Sequence, residues 1–181
     1  MANEFNKDGK KVGLWVKTYD NGKIQEERNY VNGVREGEYK SYYMNGQIET
    51  KKFYKNGNLH GIYEIFYNDG TLSSIRNLVD GEIIGEFKEY FQNGQLKKES
   101  VHISTSTTTK NIKYFPNGQI KIDVNIKNGV MYGPYKEFFS NGNKYIECAY
   151  NEKGKIDGFY KEYDNDGNLV KDTKYINGIK S

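Results

Sequence analysis

The chain has 181 residues, a length that fits one domain, and its 27 basic and 24 acidic side chains give a formal net charge of +3. Only 35% of the residues are hydrophobic but 15% are aromatic, which excludes a typical disordered chain and indicates packing on rings. The interspersed charges exclude the basic stripe of a dedicated nucleic-acid-binding protein, and the single cysteine excludes a disulfide framework.

The N-terminal segment, residues 1–12, has the pattern of a partial repeat, and the remainder of the chain is periodic. Seven tandem repeats of about 24 residues follow, which we assign to 13–36, 37–60, 61–84, 85–108, 109–132, 133–157 and 158–181. The fifth repeat is degenerate, because Thr109 replaces its opening glycine. The sixth contains one additional residue in its YNEKG segment.

Each repeat combines aromatic residues with two Asn-Gly or Asp-Gly turns, as in GEYKSYYMNGQIE at residues 37–49. Paired turns separated by short aromatic and β-branched runs predict an all-β meander of successive antiparallel hairpins. Pro116 suits the first central position of a type I turn, so we expect the first turn to be a three-residue loop ending on glycine. This loop places Tyr42 opposite Ile48. Because sheets this wide usually curl, a sheet built of about fourteen such strands is expected to be curved or twisted.

On this register, Tyr42 and Tyr54 lie on a packed face, and an aromatic strip lies on the other face with Glu49 and Lys51 between its rings. The opening glycine, such as Gly37, is expected to let a neighbouring ring lie across the backbone. The candidate binding residues are the rings of this strip, namely Tyr39, Tyr43, Tyr63, Tyr67, Phe87, Phe91, Tyr135 and Phe139.

The repeat pattern breaks at residues 104–109, where Thr105 and Thr109 replace expected glycines. Two interpretations stay open: a degenerate repeat with a differently shaped turn, or a hinge or partner-contact loop between four repeats and three.

The sequence shows no recognisable catalytic or metal-binding pattern. His60, His102 and Cys148 have no ligand or triad spacing, and Cys148 falls on the packed face. The glycines are spaced for turns and are not followed by a helix, as a phosphate-binding loop would require. We therefore expect no enzyme activity, no cofactor and no metal.

The unit resembles the MORN repeat in the variant form found in many bacterial proteins, including the YwqK family of antitoxins. The match rests on Gly-x-Tyr-x-x-Tyr-Tyr-x-Asn-Gly-x-Ile at residues 37–48, and on its counterparts at 61–72, 85–96 and 158–169. The resemblance implies successive β-hairpins in an elongated, twisted, single-layer sheet and a role in interaction rather than catalysis. It supplies no residue-level site.

The leading hypothesis is a non-enzymatic protein-interaction module of the antitoxin or immunity type, with a toxin as one candidate partner. The alternative is a glycan- or cell-envelope-binding protein that uses exposed rings. We expect no nucleic-acid partner and no membrane-lipid partner, while the open edge strands allow self-association. The sequence as written predicts a cytoplasmic protein; a signal peptide upstream would make it secreted or cell-surface.

Overall fold

A computed structural model describes residues 2–102 and 108–181, and the regular structure that it assigns there is entirely β. Within these ranges, no helix has the length and hydropathy that a membrane span requires. The expected all-β class is therefore confirmed. The chain divides into two compact units, residues 1–94 and 95–181. The sequence break proposed at 104–109 lies largely outside the described residues.

Unit 1 contains nine strands, and each pairs antiparallel with its neighbour along the chain. They are β1 (Glu4–Phe5), β2 (Lys11–Thr18), β3 (Ile24–Val31), β4 (Val34–Tyr42), β5 (Ile48–Lys55), β6 (Asn58–Leu59), β7 (Gly61–Phe66), β8 (Leu72–Val79) and β9 (Glu82–Tyr90). The short strand β6 pairs with the end of β5 beside β7.

Unit 2 continues the same antiparallel pattern with eight strands. They are β10 (Leu96–His102), β11 (Thr108–Tyr114), β12 (Ile120–Lys127), β13 (Val130–Phe138), β14 (Lys144–Tyr150), β15 (Gly158–Tyr163), β16 (Leu169–Ile176) and β17 (Ile179–Lys180).

The first turn of each repeat is the expected three-residue loop. In the second repeat the Gly46 amide donates to the Tyr43 carbonyl, and the Tyr43 amide donates to the Gln47 carbonyl, both at 2.8 Å. Gly46 has φ +93°, the left-handed conformation that ends such a loop. Pro116 occupies the equivalent first central position in the fifth repeat. The expected cross-strand pairs are confirmed at Tyr42–Ile48, Phe66–Leu72, Tyr114–Ile120 and Tyr163–Leu169.

The second turn is a different type. Asn56 and Gly57 both have positive φ, +51° and +84°, as a two-residue type I′ turn requires. Asparagine tolerates this conformation better than most non-glycine residues, which explains the recurrent Asn-Gly pair. The additional residue of the sixth repeat converts this turn to a three-residue loop, in which the Gly154 amide donates to the Asn151 carbonyl at 3.0 Å.

A β-bulge beside the first turn corrects the predicted faces of the sheet. Tyr42 pairs with Ile48, but Ser41 pairs with Thr50, so Glu49 is an additional residue on the second strand. Side chains alternate between the two faces along a strand. The one-residue shift therefore places each residue of the second strand beyond the bulge on the face opposite to the predicted one. Tyr39 therefore shares a face with Tyr54, and their ring centroids are 6.3 Å apart. The prediction that these two rings lie on opposite faces was wrong.

The opening glycine has a backbone role that the sequence analysis did not predict. Gly85 lies in a second irregularity, where Arg76 pairs with Phe87 but Asn77 pairs with Ile84. Its φ is +70°, a conformation that residues with a side chain rarely adopt. A Cβ placed on Gly85 would meet no atom within 4 Å, so no ring occupies that space.

The buried core of unit 2 consists of Val124, Tyr135 and Cys148, which are cross-strand partners on three neighbouring strands. Tyr135 is 8% exposed, and its ring lies 5.8 Å from the Tyr150 ring in an edge-to-face contact. The buried hydrophobic residues of unit 1 are Tyr30, Tyr54 and Leu78.

Tyrosines beside the first turn connect each hairpin to the next one. The hydroxyls of Tyr19, Tyr43 and Tyr67 each donate to a backbone carbonyl 23 residues later, on Tyr42, Phe66 and Tyr90 respectively. The 24-residue spacing of these three tyrosines is thus explained by a hydrogen bond that occurs once in each of the first three repeats. Phe91, Phe115, Phe139 and Asp164 occupy the equivalent position in the later repeats.

Removing one of these hydroxyls should therefore be measurable. We expect Tyr43→Phe to lower the free energy of unfolding by about 0.5–1.5 kcal/mol, the usual contribution of one hydrogen bond. Urea denaturation followed by circular dichroism measures this loss. Tyr63→Phe is the matched control, because the Tyr63 hydroxyl makes no hydrogen bond with the described residues. Equal losses in both variants would contradict the assigned role.

Candidate functional site

Rings and cations alternate along one face of unit 1. Trp15 pairs with Arg28, and Arg28 pairs with Tyr39, on the three neighbouring strands β2, β3 and β4. The same row continues strand by strand to β9. We call it the ring–cation face, formed by Trp15, Arg28, Tyr39, Lys52, Tyr63, Arg76 and Phe87.

The cations of this face lie over the rings. Lys52 Nζ is 4.4 Å from the centroid of the Tyr39 ring and 5.4 Å from that of Tyr63. Arg76 Cζ is 4.2 Å from the Tyr63 centroid and 5.9 Å from that of Phe87. Each such contact contributes about 0.5–1 kcal/mol at a partly exposed site. The side chains of Lys52 and Arg76 are therefore held in place by cation–π contacts with the rings of the same face.

Two further cations extend this pattern toward the second turns. Lys11 Nζ lies 4.2 Å from the Trp15 centroid, and Arg35 Cζ lies 5.3 Å from the Tyr54 centroid. Arg35 also donates a hydrogen bond of 3.2 Å to the Tyr54 hydroxyl.

Four of these cations make no close ion pair. Among the described residues, no carboxylate lies within 4.0 Å of the Lys11, Arg35, Lys52 or Arg76 side-chain nitrogens. Arg28 differs, because it is hydrogen-bonded to Glu26. On the opposite face of unit 1, lysines form ion pairs with glutamates. Lys40 and Lys51 lie 2.7 and 3.9 Å from Glu38. Lys88 lies 2.6 Å from Glu86. Unpaired positive charge is thus concentrated on the ring–cation face.

Burial raises the pKa of Tyr39 to about 12, and the neighbouring Glu26 carboxylate, which accepts its hydrogen bond at 2.9 Å, acts in the same direction. The Tyr39 phenol is therefore neutral at physiological pH and does not offset the adjacent cations. The pKa of Glu26 is lowered even though burial opposes ionisation, because Arg28 and Tyr39 both donate hydrogen bonds to it.

The structure divides the predicted aromatic strip. Tyr39, Tyr63 and Phe87 lie together on the ring–cation face. Tyr43 and Tyr67 donate the hydrogen bonds between hairpins described above, while Phe91 occupies the equivalent turn position without a hydroxyl.

The two strip residues of unit 2 have other surroundings. Tyr135 is part of the buried core, and Phe139 contacts Tyr145 with ring centroids 4.9 Å apart. All eight residues of the predicted strip are buried or partly buried.

The sequence prediction missed the cations of this site. Lys51 was assigned to the strip because the bulge at Glu49 was not foreseen, whereas the structure pairs Lys52 with Tyr39 on this face. A signal was nevertheless present fifteen residues after each opening position. That position holds Arg28, Lys52 and Arg76 in the first three repeats and then Ser100, Val124, Cys148 and Thr173. The latter four are buried, so one repeat position changes from cationic to small or apolar along the chain.

The opposite face of unit 1 carries an open recess of about 450 Å³ beside Phe53 and Ile62, which are 51% and 58% exposed. Its rim has mixed charge, with Lys51 and Glu64 among the lining residues. His60 also lines it, and its Nδ1 lies 4.0 Å from Asp80.

Within the described part of the chain, no group of three or more His, Cys, Asp or Glu side chains could hold a metal ion. Cys148 is buried in the core of unit 2, and burial raises the pKa of its thiol, which disfavours the reactive thiolate.

The sequence matches a model of a known family of repeats. A family model described as MORN repeat variant matches residues 11–32, 35–56, 59–80, 84–103 and 110–128. These segments together cover more than half of the chain and include Lys52 and Arg76. A comparison with curated proteins gives no match.

Proposed function

The chain belongs to the MORN repeat variant family, whose repeats form binding modules, and we propose that it acts as a non-enzymatic protein-interaction module. The observation that carries this proposal is that Lys52 and Arg76 lie over aromatic rings and have no carboxylate partner within 4.0 Å. Arginine and large aromatic residues are the side chains most enriched at the energetic centres of protein interfaces. The proposed contact surface is the ring–cation face of unit 1.

The glycan-binding alternative has less support from this geometry. A sugar would stack on the flat face of an exposed ring. The faces of Tyr39 and Tyr63 are instead occupied by Lys52 and Arg76 of the same chain. A sugar would have to displace these cations and lose their contacts with the rings.

The finer proposal is an antitoxin or immunity role. It rests on the resemblance of GEYKSYYMNGQIE, residues 37–49, to the repeats of YwqK-family antitoxins. Neutralisation of a toxin by direct contact requires a binding surface and no catalytic group, which agrees with the assignment of a non-enzymatic module. Co-expression with a toxin encoded beside it should restore growth of the host, and a variant impaired in binding should not.

The general proposal is tested by affinity capture from the native host with Tyr63→Leu as the variant bait. Leucine retains hydrophobic volume but removes the ring that both Lys52 and Arg76 contact. We expect the captured amount of a specific partner to fall about tenfold, as at a central interface residue.

The matched control for this experiment is Ile62→Ala. Ile62 is the preceding residue, is 58% exposed, and projects from the opposite face. Capture by this bait should equal that of the wild type. A partner retained equally by Tyr63→Leu and wild-type baits, with the fold of both intact by circular dichroism, would refute the proposed surface.

A further inference from the structure

The spacing of the unpaired cations indicates the chemistry of the partner. Lys52 on β5 and Arg76 on β8 are separated by one intervening strand, β7, which carries Tyr63. Neighbouring strands lie about 4.8 Å apart, so cations on every second strand recur at about 9.6 Å. Arg28 on β3 continues the same interval, although Glu26 already pairs with it.

An extended polypeptide matches this interval. A polyproline II helix has three residues per turn and rises about 3.1 Å per residue, so every third side chain points the same way at intervals of about 9.3 Å. Such a segment lying across the strands would present an acidic side chain at each third position to successive cations. A carboxylate beside a lysine or arginine forms a charge-assisted hydrogen bond.

Nucleic acid fits this face less well than a peptide. Single-stranded nucleic acid binds by stacking its bases on open aromatic rings. Here the rings of Tyr39 and Tyr63 are already in contact with cations.

A lipid surface also fits less well. Anionic headgroups attract basic clusters that lie close to the membrane surface. Arg76 instead has a buried Nε with no hydrogen-bond partner among the described atoms, and the Arg28 side chain is only 30% exposed.

We propose that the ring–cation face binds an extended acidic segment of a partner protein in which carboxylates recur at every third residue. This inference rests on the proposed function and specifies its ligand chemistry. The unpaired Lys52 and Arg76 donate hydrogen bonds to the central carboxylates, and the ring between them contacts the intervening side chains. Lys11 and Arg35 supply additional attraction beside the row.

The test uses two fluorescein-labelled synthetic peptides of about twelve residues and identical composition. One carries aspartate at every third position, to match the polyproline II repeat, and the other carries the same aspartates in one block. Fluorescence anisotropy at low ionic strength measures their binding to the full chain. We expect the spaced peptide to bind at least about fivefold more tightly than the block peptide, because only its carboxylates match the cation interval.

Charge-reversal variants on the two faces of the sheet test the role of Lys52 and Arg76, with the adjacent Lys51 as the control position. Lys52→Glu combined with Arg76→Glu should weaken binding of the spaced peptide at least about tenfold, because attraction becomes repulsion. Lys52→Gln with Arg76→Gln should also weaken it, and this pair introduces no new charge that could disturb folding. Lys51→Glu makes the same substitution one residue away on the opposite face and should leave binding unchanged.

Several results would overturn the inference: equal binding of the two peptides, equal loss with Lys51→Glu, or tighter binding of oligothymidine or of phosphatidylserine vesicles.

Failure of this inference is distinguishable from failure of the proposed function. If the capture of a host partner depends on Tyr63 but neither peptide binds, only the acidic chemistry is refuted. If the spaced peptide binds but Tyr63→Leu leaves capture unchanged, the interaction surface proposed for the native partner is refuted.

Discussion

Replacing Tyr135 with alanine is expected to destabilise unit 2 by about 3–5 kcal/mol, the range for truncation of a large buried ring. Tyr135 is 8% exposed, lies between Val124 and Cys148, and its hydroxyl donates a 2.8 Å hydrogen bond to Glu137. Removal of the ring leaves a cavity between Val124 and Cys148, and the cost of this cavity adds to the lost burial of the ring. Chemical denaturation monitored by circular dichroism measures the loss.

The control for this substitution is Phe159→Ala. Phe159 is also an aromatic residue on a strand of unit 2, but it is 57% exposed. We expect its truncation to change stability by less than about 1 kcal/mol, as is usual for surface positions. Comparable losses at the two positions would show that Tyr135 is not a core residue.

The second large effect is alkaline unfolding. Burial, the largest cause in each case, raises the pKa of seven tyrosines, three of them to about 12. They are Tyr39, Tyr114 and Tyr160 at about 12, together with Tyr42, Tyr43, Tyr135 and Tyr150. Tyr30 opposes this trend: burial would raise its pKa, but hydrogen bonding with Arg35 and Arg28 lowers it.

The sign of the effect follows from these shifts. In the unfolded chain a tyrosine ionises near pH 10, whereas the folded state keeps these phenols protonated to higher pH. Below about pH 10 the two states bind equal numbers of phenolic protons, so the stabilisation is fully present. Between about pH 10 and 12 the unfolded state loses its protons first, and the free energy of unfolding falls.

Tyrosinate absorbance and circular dichroism, recorded together during an alkaline titration, test this expectation. We expect the absorbance to rise late and in step with loss of the β signal. The same chain in concentrated guanidinium should titrate near pH 10. Complete ionisation of the tyrosines near pH 10 while the β signal persists would contradict the protection of these phenols.

The repeat and both turn positions could be predicted because local residues determine them. Asn56-Gly57 requires positive φ at both positions, and Pro116 fixes the φ of a type I turn. The Tyr42–Ile48 pair follows directly from the length of the loop that joins them. These are properties of a few consecutive residues, so a sequence is sufficient to specify them.

The faces of the sheet could not be predicted in the same way. The bulge at Glu49 involves an ordinary residue with no conformational signature, and a sequence gives no direct sign of such an insertion. One undetected residue reversed the assignment of Lys51 and Lys52, because alternation propagates along the strand. The aromatic half of the candidate site was therefore anticipated at Tyr39 and Tyr63, while its cationic half was not.

The role of the tyrosines beside the first turn also could not be predicted from neighbouring residues in the sequence. Tyr43 donates to a carbonyl of the following hairpin, and this contact depends on how successive hairpins stack. From their periodicity, these tyrosines were assigned to a binding strip. The hydrogen bond from the Tyr43 hydroxyl to the Phe66 carbonyl shows their structural role.

The central claim is that the bulged register places Lys52, and not Lys51, on the aromatic face. Nuclear magnetic resonance tests this directly through the side-chain methylene shifts of the two lysines, assigned with Lys51→Arg and Lys52→Arg variants. Because Lys52 Nζ lies 4.4 Å from the Tyr39 centroid and contacts two further rings, its ε-methylene protons should be shifted upfield by ring currents. Those of Lys51 should keep ordinary values. Upfield shifts at Lys51 with ordinary shifts at Lys52 would contradict the register and the binding face derived from it.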